Sequence, residues 1–350
     1  MSLLTGLAWR ELTQLPHPEI DRTRCLNQVR RSHCTACQEL CPEEVIGEDL
    51  QVKSWSRCTD CGRCVTACPT RAIGPSDRRL EQLLSLREGE GTGYLSCQGG
   101  GNPQFECLCE LSWEALAYLA SYRPLELDLS RCGTCESTRC RELLGEELKR
   151  LHRFLGGEEF AASVTLLHSP REETKPEFSR RDLLRRTGEQ SGAGLRSLLR
   201  QAPLLGAEEL DTDGLSLRRL LSRRREQSGK SIVWDIPDMG ENCTACGRCA
   251  RNCPTGALRV DTEDHSLLLE SWRCVQCGTC ATVCPNRAVK GFKQVELEKL
   301  GLLRLKKAQR RTCRDCGAEL PPNSRAQVCG ECLRKRMNGA AQRTKKEESE

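Results

Sequence analysis

Apolar positions along this 350-residue chain come in short groups separated by charged residues, and the mean hydropathy is −0.55. The clearest succession of elements lies in residues 92–156, which contain six of the cysteines. There the pattern predicts strand, helix, strand and helix, at Tyr94–Cys97, Ser112–Ser121, Leu125–Leu129 and Cys140–Phe154. This order predicts a small α/β unit.

The next stretch, residues 157–235, contains no cysteine and alternates leucine pairs with arginine clusters. This pattern predicts short amphipathic helices on a flexible basic linker. A Leu/Lys-rich segment predicts a further helix at Val295–Arg310. The polar, charged end of the chain is predicted to be disordered.

Composition excludes one large class of protein. Charged residues make up 29% of the chain and aromatic residues 4%, and no apolar run reaches the roughly 18 residues that span a bilayer. Membrane insertion is therefore not expected. Arg10 and Glu11 interrupt the start of the chain, which does not resemble a secretory signal, so we expect a cytoplasmic location.

The 26 cysteines are the main anomaly of the composition. Disulfide scaffolds belong to small secreted domains, and a chain of this length in a reducing compartment has no need of one. Cysteine here predicts bound metal. Because each small unit buries little apolar surface, metal coordination is expected to supply part of the folding free energy.

A repeat of the form Cys-x2-Cys-x2-Cys-x3-Cys-Pro dominates the sequence. Three copies are complete, namely Cys58, Cys61, Cys64 and Cys68 before Pro69; Cys243, Cys246, Cys249 and Cys253 before Pro254; and Cys274, Cys277, Cys280 and Cys284 before Pro285. A fourth copy, Cys34, Cys37 and Cys41 before Pro42, has Arg31 where its first cysteine should stand. Cys25 is the candidate to replace it through a longer loop.

A [4Fe-4S] cubane needs one soft thiolate for each iron, and cysteines three positions apart can reach three irons from one loop. The runs resemble the bacterial dicluster 2[4Fe-4S] ferredoxin family, and their tandem arrangement resembles a polyferredoxin. The resemblance implies that the cysteine before proline binds the other cluster of its unit. The implied sets are Cys243, Cys246, Cys249 with Cys284; Cys274, Cys277, Cys280 with Cys253; Cys58, Cys61, Cys64 with Cys41; and Cys25, Cys34, Cys37 with Cys68.

The imperfect run differs at a second position. A glycine follows the second cysteine of the complete runs, where it allows backbone amides to approach the cluster, whereas the imperfect run has Thr35 there. We expect the cluster of this run to differ from the others in potential or stability. Zinc knuckles with the same spacing are the alternative, and they stay open above all for the Cys25 half.

Two further CxxC pairs lie near the end of the chain. Cys313 and Cys316 precede Cys329 and Cys332, a spacing that resembles a zinc ribbon and predicts a zinc ion; a rubredoxin-type iron site is the alternative. The basic residues that follow, among them Arg334, are interrupted by acidic ones and have no aromatic neighbour for base stacking. With thiolate ligands counted, the formal net charge of +5 becomes about −5. Both observations argue against nucleic acid as a partner.

The six cysteines of residues 92–156 show no complete motif. Cys97, Cys109, Cys132 and Cys135 are the first candidates for a further iron–sulfur cluster or metal, and Cys140 is a possible replacement for any of them. The order of elements loosely resembles the iron–sulfur subunit of hydrogenase and heterodisulfide reductase complexes. Buried cysteines without a ligand are the alternative.

Together these patterns predict an α+β chain with two ferredoxin-like dicluster domains, a small α/β Cys-rich domain between them and a C-terminal zinc ribbon. The expected divisions are an N-terminal dicluster domain (1–80), the α/β domain (92–156), the basic helical linker (157–235), a C-terminal dicluster domain (236–295), and helix, zinc ribbon and charged tail (296–350).

The expected function is electron transfer through four [4Fe-4S] clusters, because cluster chemistry accounts for the repeats and no catalytic site is visible. A partner would then carry out catalysis, and hydrogenase, formate dehydrogenase or a molybdenum- or tungsten-containing oxidoreductase is the expected type. The alternative is an iron–sulfur or redox sensor that acts through the zinc ribbon and basic tail.

Overall fold

A computed structural model describes residues 17–30, 32–89, 91–97, 104–169, 210–299, 301–307, 312–320 and 326–337. Four sequence predictions therefore fall partly outside the described residues: the start of the N-terminal domain, the centre of the predicted linker (170–209), the end of the helix predicted at Val295–Arg310, and the charged tail from residue 338. Within the described ranges no helix is long and apolar enough to cross a membrane.

The N-terminal unit, residues 17–89, consists of short elements around cysteine loops. Its strands β1 and β2 pair in antiparallel fashion, with Glu19 opposite Gly74. Ser76 caps the last and longest helix, since its hydroxyl accepts a hydrogen bond from the Arg79 amide. The elements are β1 (Glu19–Ile20), α1 (Leu26–Arg30), α2 (Ala36–Glu39), α3 (Arg63–Ala67), β2 (Ile73–Gly74) and α4 (Asp77–Arg87).

The middle unit contains a parallel three-stranded sheet in the order β3-β4-β5. Helices connect its strands, as parallel strands require. All four elements predicted for residues 92–156 are present, so those predictions are confirmed. The elements are β3 (Gly93–Leu95), α5 (Trp113–Ala120), β4 (Leu125–Asp128), α6 (Thr138–Leu155), α7 (Gly157–Ser163) and β5 (Val164–Leu167).

Residues 157–235 contain the predicted short helices at both described ends, Gly157–Ser163 and Ser216–Gln227, but both ends pack against the rest of the structure. At one end, residues Val164–Leu167 are the third strand of the sheet and pair with β4. At the other end, α8 (Ser216–Gln227) buries Leu221, Ser222 and Arg218. The segment before α8 lies against the N-terminal unit so closely that a Cβ on Gly74 would meet the Thr212 carbonyl oxygen at 1.7 Å.

The C-terminal unit, residues 232–306, consists of two antiparallel sheets around two short helices. Strands β6 and β9 form one long ladder, and β8 lies between β7 and β10 in the other sheet. The elements are β6 (Ile232–Met239), α9 (Arg248–Arg251), β7 (Leu258–Val260), β8 (Leu267–Glu270), α10 (Thr279–Thr282), β9 (Val289–Leu297) and β10 (Leu302–Lys306).

The helix predicted at Val295–Arg310 is not formed in its described part, which instead belongs to β9 and β10. Leu303 and Leu305 are half-buried against the core, while Leu302 and Arg304, which alternate with them, are exposed. This alternation has the two-residue period of a strand. Pairing with β8 therefore outweighs the helix propensity of leucine and lysine.

The middle and C-terminal units share one hydrophobic core. Trp113 and Phe154 of the middle unit contact Trp234 of β6, with ring centroids 5.8 and 5.6 Å from the Trp234 ring. The guanidinium of Arg218 lies over the same Trp234 ring at 4.4 Å. These contacts join the two units as parts of one packed structure.

A buried ion network joins all three units. Glu114 of α5 receives hydrogen bonds from Arg71 of the N-terminal unit (2.9 and 3.1 Å) and from Arg218 of α8 (3.1 Å). Arg218 also donates to the carbonyl oxygens of Trp272 (2.9 Å) and Cys274 (2.7 Å) in the C-terminal unit. Burial alone would raise the pKa of Glu114, but the two arginines outweigh it and hold the pKa below its usual value.

Replacement of Glu114 with glutamine should be strongly destabilising, by about 3–5 kcal/mol, because it leaves the buried Arg218 without its carboxylate partner and Arg71 with only Glu147, at 3.5 Å. Thermal unfolding of the anaerobically purified protein measures the effect. Glu146→Gln is the matched control, because Glu146 pairs with Lys149 on the exposed face of α6 and should contribute no more than about 0.5 kcal/mol. Equal shifts of the two unfolding midpoints would contradict this account.

Candidate metal centres

The first cysteine quartet lies in the N-terminal unit. Cys25, Cys34, Cys37 and Cys68 line one small cavity, and Cys68 reaches it from the second run of the chain. Burial, followed by the neighbouring thiolates of Cys68, Cys34 and Cys25, raises the pKa of Cys37 to about 12. The structure therefore brings together the four residues that the resemblance groups here.

The loop that replaces the missing first cysteine is held by Asn27. Its side-chain oxygen accepts a hydrogen bond from the Cys34 amide at 2.7 Å, and its side-chain nitrogen donates to the Cys34 carbonyl at 3.1 Å. These two bonds bring the ends of the longer loop together, with Cys25 buried at its start. Sequence reasoning missed Asn27, and only its place two residues after Cys25 could have indicated this role.

The second quartet shows the same exchange between runs. Burial raises the pKa of the Cys64 thiol well above its usual value, and the thiolates of Cys61 and Cys41 add to the effect. Cys41 acts in the same way on Cys58. Cys41, the last cysteine of the first run, therefore lies with Cys58, Cys61 and Cys64.

The C-terminal unit repeats this arrangement. Burial and then the thiolates of Cys243 and Cys246 raise the pKa of Cys249 to about 11, and Cys284 lies beside Cys243. Burial raises the pKa of Cys274 to about 12, and the thiolates of Cys253 and Cys277 contribute. Each run thus places its last cysteine beside the other run's first three.

Left-handed backbone turns recur in the runs. After the second cysteine, Gly62, Gly247 and Gly278 have φ of 80°, 72° and 74°, which glycine adopts without steric cost. Thr35, at this place in the imperfect run, has φ of −115°. The local backbone of the imperfect run therefore differs from that of the complete ones, as its sequence predicts.

A second left-handed turn follows each Cys-Pro pair, and after three of the four pairs it directs an amide toward the sulfur. The residue three positions after the last cysteine has a positive φ, as in Glu44, Arg71 and Arg287. The next amide then donates to the cysteine four residues earlier: Val45 to Cys41 at 3.3 Å, Ala72 to Cys68 at 3.2 Å, and Ala288 to Cys284 at 3.3 Å. Such N–H···S bonds tune iron–sulfur potentials.

The donor set of each quartet fits a polynuclear iron–sulfur cluster. Thiols with pKa values raised by burial ionise only when a strong positive charge compensates them, as a metal does. A single ion needs ligand sulfurs within about 4.8 Å of one another. In none of the four quartets do three sulfurs lie that close together. Thiolates on different irons of one cubane must stand further apart than thiolates on one ion.

The predicted ribbon cysteines form a much tighter group. The sulfurs of Cys313, Cys316, Cys329 and Cys332 all lie within 4.8 Å of one another, and those of Cys316 and Cys329 are 3.7 Å apart. Tetrahedral zinc with Zn–S bonds of about 2.3 Å places its sulfurs about 3.8 Å apart. The geometry therefore suits one ion. Of the basic residues beyond it, Arg343, Lys345 and Lys346 lie outside the described residues.

The predicted grouping of Cys97, Cys109, Cys132 and Cys135 does not form as a compact site. Cys97 and Cys135 do lie close enough to Cys132 for their thiolates to add to the burial that raises its pKa. Cys109 is instead grouped with Cys107 and Cys140. Cys109 departs from the predicted grouping because it lies within the turn Leu108–Glu110, which contacts the N-terminal unit, and the sequence has no local signature of this long-range contact.

The two cysteine-rich units meet across one cavity. Cys68 lines it from the N-terminal unit, and Val275 and Gln276 line it from the loop between Cys274 and Cys277. Arg71 and Arg218 also line this cavity. The guanidinium of Arg71 is near Cys68, and that of Arg218 is near Cys274. Sequence analysis placed a flexible linker between these units and did not anticipate this contact.

Comparison with protein families supports the resemblance seen in the sequence. Residues 242–288 match the 4Fe-4S dicluster domain, and residues 52–74 match the 4Fe-4S binding domain. These segments are ferredoxin-type iron–sulfur domains. The matches include the three complete runs and leave out residues 25–41 and the ribbon. A search of curated proteins finds no significant match.

The exchange of cysteines between runs predicts a specific pattern of iron loss. Cys41→Ala and Cys61→Ala should each remove one cluster, about four iron atoms per chain, and their combination should remove no more. The combination of Cys41→Ala with Cys25→Ala should remove two clusters. Iron and acid-labile sulfide per chain measure the loss, and the opposite pattern would show that each run completes its own cluster.

Proposed function

We propose that this chain is an electron-transfer protein that carries four [4Fe-4S] clusters and one zinc ion. The clusters would be held by the four quartets, with Cys25, Cys34, Cys37 and Cys68 as the atypical one, and zinc by the ribbon cysteines. When bound, each cluster supplies one-electron chemistry. The chain's own residues fix the spacing of the clusters and direct amides to their sulfurs.

The observation that carries this proposal is the cavity shared by Cys68 and the Cys274–Cys277 loop. A protein that only stored two separate ferredoxin modules would need no such contact. A ligand of one dicluster unit beside a ligand loop of the other favours electron exchange between them. The buried network of Arg71, Glu114 and Arg218 keeps that distance fixed.

We further propose that catalysis belongs to a separate redox partner. A hydrogenase, formate dehydrogenase or molybdenum- or tungsten-containing oxidoreductase would suit a carrier of several one-electron centres.

Anaerobically purified protein tests the proposal. It should contain about 16 iron and 16 sulfide per chain, and after full reduction it should deliver four electrons to a one-electron acceptor such as cytochrome c. The clusters should survive repeated cycles of reduction and oxidation, as followed by visible absorption and by EPR of the reduced protein. About eight iron with several zinc would contradict the four-cluster assignment.

The same preparation separates electron transfer from sensing. A sensor would lose a cluster on oxidation, and cluster loss would change its binding to a nucleic acid, with a salt dependence that reports phosphate contacts. We expect no such change. Binding that appears only after cluster loss would support the sensor and overturn the carrier.

A further inference from the structure

Three cysteines outside the quartets and the ribbon come together in the middle unit. Cys107 and Cys109 lie at the turn of Leu108–Glu110, and Cys140 lies in the first turns of α6. Their three sulfurs are all within 4.8 Å of one another. We call this group the thiol triad.

The spacing of the triad is that of a site for a single ion. Among the described residues, the only other group of three or more candidate ligands as tight as this is the ribbon quartet. A tetrahedral ion with metal–sulfur bonds of about 2.3 Å holds its thiolates about 3.8 Å apart, well within this limit. The four ferredoxin-type quartets are wider, as a cubane requires.

The surroundings of the triad are arranged for negative charge. Cys109 has no exposed surface and Cys140 is 3% exposed. The guanidinium of Arg63 is close, since Arg63 and Cys140 line the same open cavity. A neighbouring cation favours the thiolate form that binds a metal.

No histidine or carboxylate within the described residues joins the triad as a fourth ligand. The carboxylate of Glu110, which lies in the same turn as Cys109, is committed elsewhere, since it pairs with Arg79 at 3.1 Å and accepts a hydrogen bond from the Cys107 amide at 3.1 Å. Cys140 also lines an open cavity with Arg63 and Ser137, through which solvent reaches this edge of the site. The fourth position is thus available to water or an external ligand.

We propose that Cys107, Cys109 and Cys140 bind a single zinc ion through three thiolates, with the fourth position open. Soft thiolates select zinc, and three protein ligands are enough to hold it. The ion would lock the turn of Leu108–Glu110 to α6. The same turn contacts the N-terminal unit, because the Thr66 hydroxyl donates a hydrogen bond to the Glu110 carbonyl at 2.9 Å. The proposal does not depend on electron transfer by the quartets.

Zinc per chain, measured on the full-length protein purified anaerobically, tests the proposal. The protein should contain two zinc ions, and Cys140→Ala and Cys107→Ala should each reduce this to one with iron and sulfide unchanged. Cys135→Ala is the matched control, because this exposed thiol lies in the same unit outside the triad and should leave both ions. Loss of iron and sulfide in Cys140→Ala would show a cluster at the triad and overturn the zinc assignment.

A second measurement covers the case in which Cys140→Ala does not fold. The Cys316→Ala/Cys332→Ala variant removes two ligands of the exposed ribbon and leaves the core intact. Produced with Co²⁺ in place of Zn²⁺, it should show thiolate-to-cobalt charge-transfer absorption and tetrahedral d–d bands from the triad. A protein that retains its iron but shows neither band would refute the site.

Discussion

The rest of the structure depends on one buried carboxylate, that of Glu114, held between two arginines. Arg71 comes from the N-terminal unit and Arg218 from α8, and both are almost fully buried. A buried ion without a partner is far more costly than a paired one, so each arginine fixes the position of the other. Because Arg218 also holds the Cys274 carbonyl, the network sets the distance between the two ferredoxin-type units.

The cysteine sites fall into two size classes with different structural roles. The quartets are wide and suit polynuclear clusters, and backbone amides such as that of Ala72 are directed at their sulfurs. The ribbon and the thiol triad are narrow and suit single ions. A wide site supplies redox chemistry at its centre, whereas a narrow site mainly fixes two chain segments relative to each other.

Local features of the structure could be predicted from sequence, and long-range features could not. The family resemblance carried by the runs implies the grouping of Cys41 with Cys58 that the structure has, because a repeated local pattern specifies a repeated local backbone. The helix expected at Val295–Arg310 failed because its apolar residues suit either period and strand pairing decides between them. Cys109 was misassigned for the same kind of reason, since its neighbour Cys140 lies 31 residues away in an unrelated element.

The network around Glu114 also has a consequence for biosynthesis. Arg218 lies 104 residues after Glu114, and the carbonyl that it holds lies 56 residues further on. During translation the N-terminal unit can complete its own cysteine loops early, but Glu114 and Arg71 must wait for most of the chain before the network closes. The contacts that fix the two ferredoxin-type units relative to each other therefore form only after the second of them has been synthesised.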